Sequence, residues 1–242
     1  MKKCILIIGG TSEIGIECCK LWIKKEPHSS IFLIGRNETE LKKTKEKLIL
    51  NNTSEINTLN IDCLDIIEIS RTVKEIALKY SIFRVLFAIG TIEQTTNVYE
   101  TKKLLEINGI SPIIFSELLL PLLNNNSKLI FLSSIASERG RRSNFLYGAG
   151  KSMLTTYVEG LQHKYCNNEF QIKLLKLGPI KTRMLIASKS SAPFSLELTD
   201  AAKKIVRSEL SNKNVIYIPK KWKYLMFIIR NIPSTLFNKI DI

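Results

Sequence analysis

Short, nearly continuous apolar runs alternate with amphipathic stretches along almost the whole chain. Seven runs have strand length: CILII (4–8), SIFLIG (30–35), INTLNI (56–61), FRVLFAI (83–89), SKLIFLS (127–133), QIKLLKL (171–177) and NVIYI (214–218). Between them, apolar residues recur at helical spacing over 14–25, 38–50, 65–80 and 99–123, then in a helix starting near Tyr147, and in a capped helix over 198–210. Strands lacking polar alternation are buried on both faces, and strand–helix alternation produces a parallel sheet. The pattern therefore predicts one α/β domain over residues 1–242, with a parallel sheet of about seven strands covered on both sides. No repeat or linker interrupts it. Two irregular regions, 136–145 and 187–197, follow the fifth and sixth strands, at the strand ends where open α/β sheets bind ligands.

Composition narrows this picture. With 242 residues, 45% of them hydrophobic and 24% charged, the chain has globular values and enough length for one full core. The start, MKKCILIIGG, is a basic end followed by an apolar run that glycines cut short, which reads as a first strand and not a secretory signal. No apolar run approaches the roughly 20 residues of a membrane span, so a cytoplasmic protein is expected. Cys4, Cys18, Cys19, Cys63 and Cys166 form no CxxC pair, and two histidines offer no zinc spacing, so reduced thiols and no metal are expected. The formal charge of +14 is spread over every segment without a nucleic-acid-binding motif. It leaves an anionic membrane or a phosphorylated substrate open, and nucleic acid is not expected.

The turn between the first strand and first helix, IIGGTSEIG (7–15), brings backbone N–H groups and a helix N-terminus to where a pyrophosphate can bind; a plain strand–helix turn is the alternative. The second strand ends in Gly35 and Arg36 with no acidic residue there. A guanidinium suits a 2′-phosphate, which favours NADP(H) over NAD(H), unless Arg36 is simply solvated. Asp62, in NIDCLD, is placed either to accept from an adenine amino group or to cap the next helix.

Ser134 stands just past the fifth strand, ahead of a helix carrying Tyr147 and Lys151 at positions i and i+4. A phenol with a pKa of about 10 is a poor proton partner near neutrality. A nearby Lys151 ammonium stabilises the phenolate, and a serine hydroxyl can orient a substrate oxygen. The glycine turn, Ser134, Tyr147 and Lys151, in that order and spacing, resemble the short-chain dehydrogenase/reductase family over essentially the whole chain. The resemblance implies a doubly wound Rossmann-type sheet that binds NAD(P)H. It also implies Tyr147 as general acid/base, Ser134 as its substrate-orienting partner, Lys151 also on the nicotinamide ribose, and Asn108 completing a proton relay. Cofactor contacts implied at the turn are Gly9, Thr11, Ser12, Glu13, Ile14 and Gly15, with Arg36, Asp62, Cys63 and Gly90 around the adenosine side. Tyr147 and Lys151 join Gly178, Pro179, Ile180 and Thr182 at the nicotinamide. The chain departs from the family at Glu13, which replaces a glycine, at Phe87–Gly90 (FAIG), where NNAG is usual, and at Leu177, which replaces a proline.

GGTSEIG and the C-terminal segment 220–242 resemble one branch of the family, the keto-reductase half of the decaprenylphosphoryl-ribose epimerase pair and related polysaccharide-cluster reductases. That resemblance implies a keto-sugar on a polyprenyl-phosphate or nucleotide carrier and a partner oxidase. It also implies a substrate loop near 188–198. Trp222, Tyr224, Leu225, Phe227, Ile228 and Ile229 lie among Lys220, Lys221, Lys223 and Arg230, which suits an amphipathic helix on an anionic membrane or one packed over the sheet edge. Arg139, Arg141 and Arg142 either meet a substrate phosphate or form a solvated basic loop. Residues 111–123 are expected to be a core and homo-oligomer helix, in a homodimer or homotetramer. A soluble carbonyl reductase, for example of 3-oxoacyl thioesters, and a non-enzymatic cofactor-binding regulator are the competing readings. Gly148 and Gly150, flanking Ala149 between Tyr147 and Lys151, are expected to let the backbone approach the nicotinamide or a dimer partner.

Overall fold

The computed structural model describes residues 1–49, 54–93, 95–167, 170–187 and 194–240. The strands are β1 (Lys2–Ile8), β2 (Ser30–Gly35), β3 (Ile56–Asn60), β4 (Tyr80–Phe87), β5 (Lys128–Ser134), β6 (Gln171–Leu177) and β7 (Val215–Ile218). The helices are α1 (Glu13–Lys25), α2 (Glu38–Ile49), α3 (Ile66–Lys79), α4 (Val98–Leu105), α5 (Ser111–Leu119), α6 (Phe145–Lys164), α7 (Arg183–Ala187), α8 (Leu198–Ser208), α9 (Lys221–Asn231) and α10 (Ser234–Phe237). All seven strands pair in parallel in the order β3-β2-β1-β4-β5-β6-β7. The chain winds outward from β1, returns to β4 and winds outward the other way. This opens a crevice above the C-terminal ends of β1 and β4, where such folds bind ligands.

Strand alternation divides the core into two layers. Cys4, Leu6 and Ile8 join Val73, Phe115, Leu154 and Val158 on one face, while Ile5 and Ile7 join Trp22, Leu41 and Ile205 on the other. Both faces are covered, which is why the strands read as unbroken apolar runs. All five cysteines are free thiols, four of them buried.

The helix expected over 99–123 is interrupted. A π-helical turn, Glu106–Ile110, joins α4 to α5, with the Ser111 N–H donating to the Glu106 carbonyl. Pro112 has no N–H to continue the α-helical ladder, so the backbone widens at Asn108 and Gly109. The whole run Val98–Leu122 is long and apolar enough to cross a membrane by length and composition, but 56% of its most apolar window is buried in this fold. Nor is α8 capped as its sequence suggests. Glu197 occupies the N-cap position without a side-chain hydrogen bond.

At the opposite end of the sheet a buried ionic cluster ties the layers together. Arg84 of β4 holds both oxygens of Glu209, at 3.0 and 2.8 Å. Trp22 donates to Glu209 at 2.6 Å, Lys128 approaches at 3.1 Å, and Arg84 also pairs with Glu26 at 3.0 Å. Only 3% of the Arg84 side chain is exposed. Removing its main carboxylate strands a buried guanidinium, which costs about 3–5 kcal/mol. Glu209→Ala is therefore expected to lose that much in urea-denaturation stability, and Glu209→Gln, which keeps an acceptor for Trp22, less.

Candidate active site

The crevice begins at the glycine turn. Gly9 has φ +94°, and a Cβ there would stand 2.9 Å from the backbone of Ala88 and Ile89. The N–H groups of Gly9 and Gly10 both donate to the Ile34 carbonyl, at 2.9 and 2.8 Å, which clamps the turn to β2. Ser12 caps α1 by accepting from the Gly15 N–H at 3.3 Å. Glu13, where the family pattern has glycine, accepts from the Arg183 N–H at 2.7 Å and approaches its guanidinium at 3.6 Å. The departure thus fastens α7 across the mouth of the crevice.

A cleft of about 290 Å³ runs from this turn past β2 and β4. Of the residues named from sequence, Gly9, Thr11, Ser12, Glu13, Ile14, Arg36, Cys63, Gly90 and Thr182 line it. Burial raises the Cys63 thiol pKa against the pull of Arg36. Gly15 lies beneath the turn, with its Cα turned toward Ile7. Asp62 accepts from the Leu64 N–H at 3.1 Å, and the residue capping α3 is Asp65, so the helix-cap alternative for Asp62 is not what forms. Gly178, Pro179 and Ile180 follow β6 outside the cleft wall. Sequence reasoning missed Ile34, Thr91, Ile107, Arg183 and Met184 as wall residues. Apart from Thr91 and Arg183 these are apolar, and nothing in their pattern separates a cleft wall from core.

Ser134 ends β5, its hydroxyl accepting from the Ala136 N–H at 3.1 Å in a 3-10 turn over Ile135–Ser137. Tyr147 and Lys151 lie one turn apart on α6. Lys151 is buried and donates to the carbonyls of Ile89 and Leu132, both at 3.2 Å, so it spans the ends of β4 and β5. Burial pushes its pKa down to about 8. The Tyr147 phenol is raised by burial, while a hydrogen-bonding interaction with Ser134 and the Arg141 charge pull it the other way. The Lys151 Nζ lies 6.0 Å from the Tyr147 ring centre.

Asn108 sits in the π-helical turn and is fully buried. Its Nδ2 donates to the carbonyls of Thr91 and Leu104, at 2.7 and 3.0 Å, and its Oδ1 accepts from the Thr91 N–H at 3.2 Å. Here the two helix glycines find their reason. A Cβ on Gly150 would stand 2.8 Å from the Asn108 Cβ, and one on Gly148 would stand 2.8 Å from the Ala136 carbonyl oxygen. Both of these close neighbours belong to this chain.

One further expectation changes. Arg139 is not directed at a substrate. It donates to the carbonyls of Ile229, Arg230 and Ile232, capping α9, and stacks 3.9 Å from the centre of the Phe237 ring. For segment 220–240 the packed alternative describes one face of the helix. Trp222, Met226 and Ile229 of α9 pack on Ile135, leaving Tyr224, Phe227 and Ile228 exposed. Of the expected substrate loop, residues 188–193 lie outside the described residues. The remainder is tied back by an Ile180–Leu196 bridge.

The cleft suits a nicotinamide dinucleotide. Its glycine turn leaves backbone N–H groups close to a phosphate position, Arg36 flanks the β2 end, and Gly90 brings the wall to 3.1 Å between a hypothetical Cβ and the Lys151 amine. A switch-point cleft of this kind beside a Ser–Tyr–Lys cluster defines a dinucleotide-dependent oxidoreductase. Residues 3–192 match the family described as short chain dehydrogenase, and the chain belongs to that family of NAD(P)-dependent oxidoreductases. It is 20% identical to an uncharacterised oxidoreductase of Mycobacterium tuberculosis, over 98% of this chain and 96% of that one. Its fold is similar to an alcohol dehydrogenase of Thermococcus sibiricus complexed with 5-hydroxy-NADP, with TM-score 0.75, 16% identity and coverage of 90% and 95% of the two chains. It is also similar to a short chain dehydrogenase of Burkholderia cenocepacia in complex with NADP, with TM-score 0.77, 12% identity and coverage of 98% and 97%.

The contact at Gly150 is directly testable. Gly150→Val must push Asn108 away, and overpacking of this kind costs about 1–3 kcal/mol. Lower thermal stability together with loss of turnover is the expected result.

Proposed function

We propose that the protein is an NADPH-dependent reductase of a keto-sugar carried on a polyprenyl or nucleotide phosphate. The observation that supports the chemistry is that Ser134 and Lys151 neighbour Tyr147, and that Lys151 reaches the Ile89 carbonyl of the cleft wall. Bound NADPH supplies the hydride. Tyr147 donates the proton to the substrate oxygen as the carbonyl becomes an alcohol, and Ser134 orients that oxygen by a hydrogen bond. Lys151 holds the nicotinamide ribose and, with Asn108, refills the proton on Tyr147. The adenosine end lies along Arg36, Asp62 and Cys63, where the guanidinium favours the 2′-phosphate. Thr182, which lines the cleft, would hold the carboxamide together with Ile180 from the segment Gly178–Ile180 behind it.

Supporting the lipid-linked substrate are the exposed Tyr224, Phe227 and Ile228 on a helix flanked by Lys220, Lys221 and Lys223. Aromatic and aliphatic groups beside cations suit the surface of an anionic membrane. On this reading the enzyme works in the cytoplasm against the inner face of the membrane, with a partner oxidase supplying its ketone. A homodimer or homotetramer forms through the exposed side of α4–α6, where Ile110 and Met153 are 38% and 40% exposed.

Turnover of lipid-linked keto-sugars with NADPH against NADH is the deciding experiment. NADPH preference should fall or reverse in Arg36→Glu, and Tyr147→Phe should lose at least 100-fold in kcat, in line with general acid–base catalysis. Turnover of 3-oxoacyl thioesters alone, with no co-sedimentation on anionic vesicles, would replace the keto-sugar reading by a soluble carbonyl reductase. A Tyr147→Phe variant that still complements would make the protein a cofactor-binding regulator.

The lowered pKa of Lys151 adds a pH dependence. The group is protonated below about 8 and neutral above it in the free enzyme, against an ordinary 10.5. Its charge is present at low pH and lost as pH rises through 8. NADPH affinity, followed by cofactor fluorescence, should therefore weaken above about pH 8 in the wild type and lose that step in Lys151→Met.

A further inference from the structure

Buried polar side chains in the described part of the chain nearly all find partners. Five atoms do not: Ser111 Oγ, Ser116 Oγ, Arg141 Nε, Asn144 Oδ1 and Trp222 Nε1. The two serines have nearby groups, since Ser111 interacts with the Cys63 thiol and Ser116 with the Tyr157 phenol. Of the other three, Arg141 and Asn144 belong to the loop that leads into α6, and Trp222 belongs to α9. A hidden donor or acceptor without a partner is costly, and such groups mark places where a ligand completes the bonding.

Arg141 and Asn144 belong to the loop between the Ser134 turn and α6. The Asn144 N–H donates to the Arg141 carbonyl at 3.1 Å, and the Gly148 N–H donates to the Asn144 carbonyl at 2.8 Å. The pair therefore sits on the first turn of the helix that carries Tyr147. Asn144 holds the N-cap position of α6, yet its side chain caps nothing. Trp222, on α9, is accounted for by its packing. It packs against Ile135, next to Ser134, is 96% buried, with 4% relative exposure, and its indole nitrogen fills the space a Cβ on Gly178 would need.

Charge bookkeeping singles out Arg141. Neighbouring cations are engaged: Lys176 pairs with Glu138 at 2.9 Å, Arg230 approaches Glu138 at 3.8 Å, and Arg139 caps α9. Arg141 has no ion pair or side-chain hydrogen bond among the described residues, although burial already lowers its pKa and Tyr147 is its electrostatic neighbour. A half-buried guanidinium left open beside a reacting phenol lacks an anion. The cofactor phosphates do not supply it, because the glycine turn and Arg36 lie at β1 and β2, across the switch point from the end of β5.

We propose that Arg141 binds an oxyanion carried by the substrate, a phosphate ester on the reading above, from the loop that leads into the helix carrying Tyr147. This rests on the reductase reading and extends it. The substrate is recognised by its phosphate as well as by its carbonyl.

The test is calorimetric titration of the NADP⁺-loaded full chain with geranyl phosphate, geraniol and inorganic phosphate. Geranyl phosphate should bind at least tenfold more tightly than geraniol. Arg141→Gln should remove that advantage while leaving NADP⁺ affinity unchanged. Arg141→Lys should keep part of it. Inorganic phosphate binding as tightly as geranyl phosphate, and equally dependent on Arg141, would support the oxyanion site and assign it to a soluble phosphorylated substrate. Equal affinity of wild type and Arg141→Gln for geranyl phosphate, or no saturable binding of either phosphate, overturns the proposal. A wild-type chain that does not bind NADP⁺ fails earlier, at the reductase reading itself.

Discussion

The approach of α6 to the turn at Asn108 is the constraint on which the site depends. With no side chain at Gly150 or Gly148, the helix lies directly against the Asn108 side chain on one flank and the Ala136 carbonyl on the other. That seating puts Lys151 within reach of the β4 and β5 carbonyl ends, and it brings the Tyr147 phenol to Ser134. A single added methyl group would separate these parts. Close-packed interiors transmit such displacements because neighbours have nowhere to yield.

The π-helical turn is the other half of this contact. Pro112 removes one ladder bond, the backbone opens, and the Asn108 amide turns inward to bond Leu104 and both backbone groups of Thr91. What reads in sequence as a helix breaker is the device that holds an amide beside Lys151. Wide turns of this type recur at functional sites for the same reason.

The C-terminal segment completes the Ser134 side. Glu138, with 2% of its side chain exposed, holds Lys176 and Tyr217, and Arg139 closes the end of α9. Residues soon after Ser134 are thus anchored to α9. The loop that follows this hydroxyl owes its shape to a residue 90 positions away, as the Arg139–Ile229 bond illustrates.

How much of this was legible beforehand follows from where each signal lives. Strand runs such as SIFLIG and QIKLLKL coincide with β2 and β6 because burial on both faces leaves no polar position to blur their ends. The order of glycine turn, Ser134, Tyr147 and Lys151 was readable too, since strand-end and helix spacing are local. Partner identity was not. Why Gly150 is small, that Glu13 ties down α7 and that Arg139 caps a distant helix all depend on contacts between segments far apart in sequence. By itself the sequence determined the elements, the parallel sheet and the residues available for chemistry, through periodicity and local spacing. Only the tertiary structure decided which of those residues share a site, because burial and charge pairing are set by neighbours that the chain brings together across its whole length.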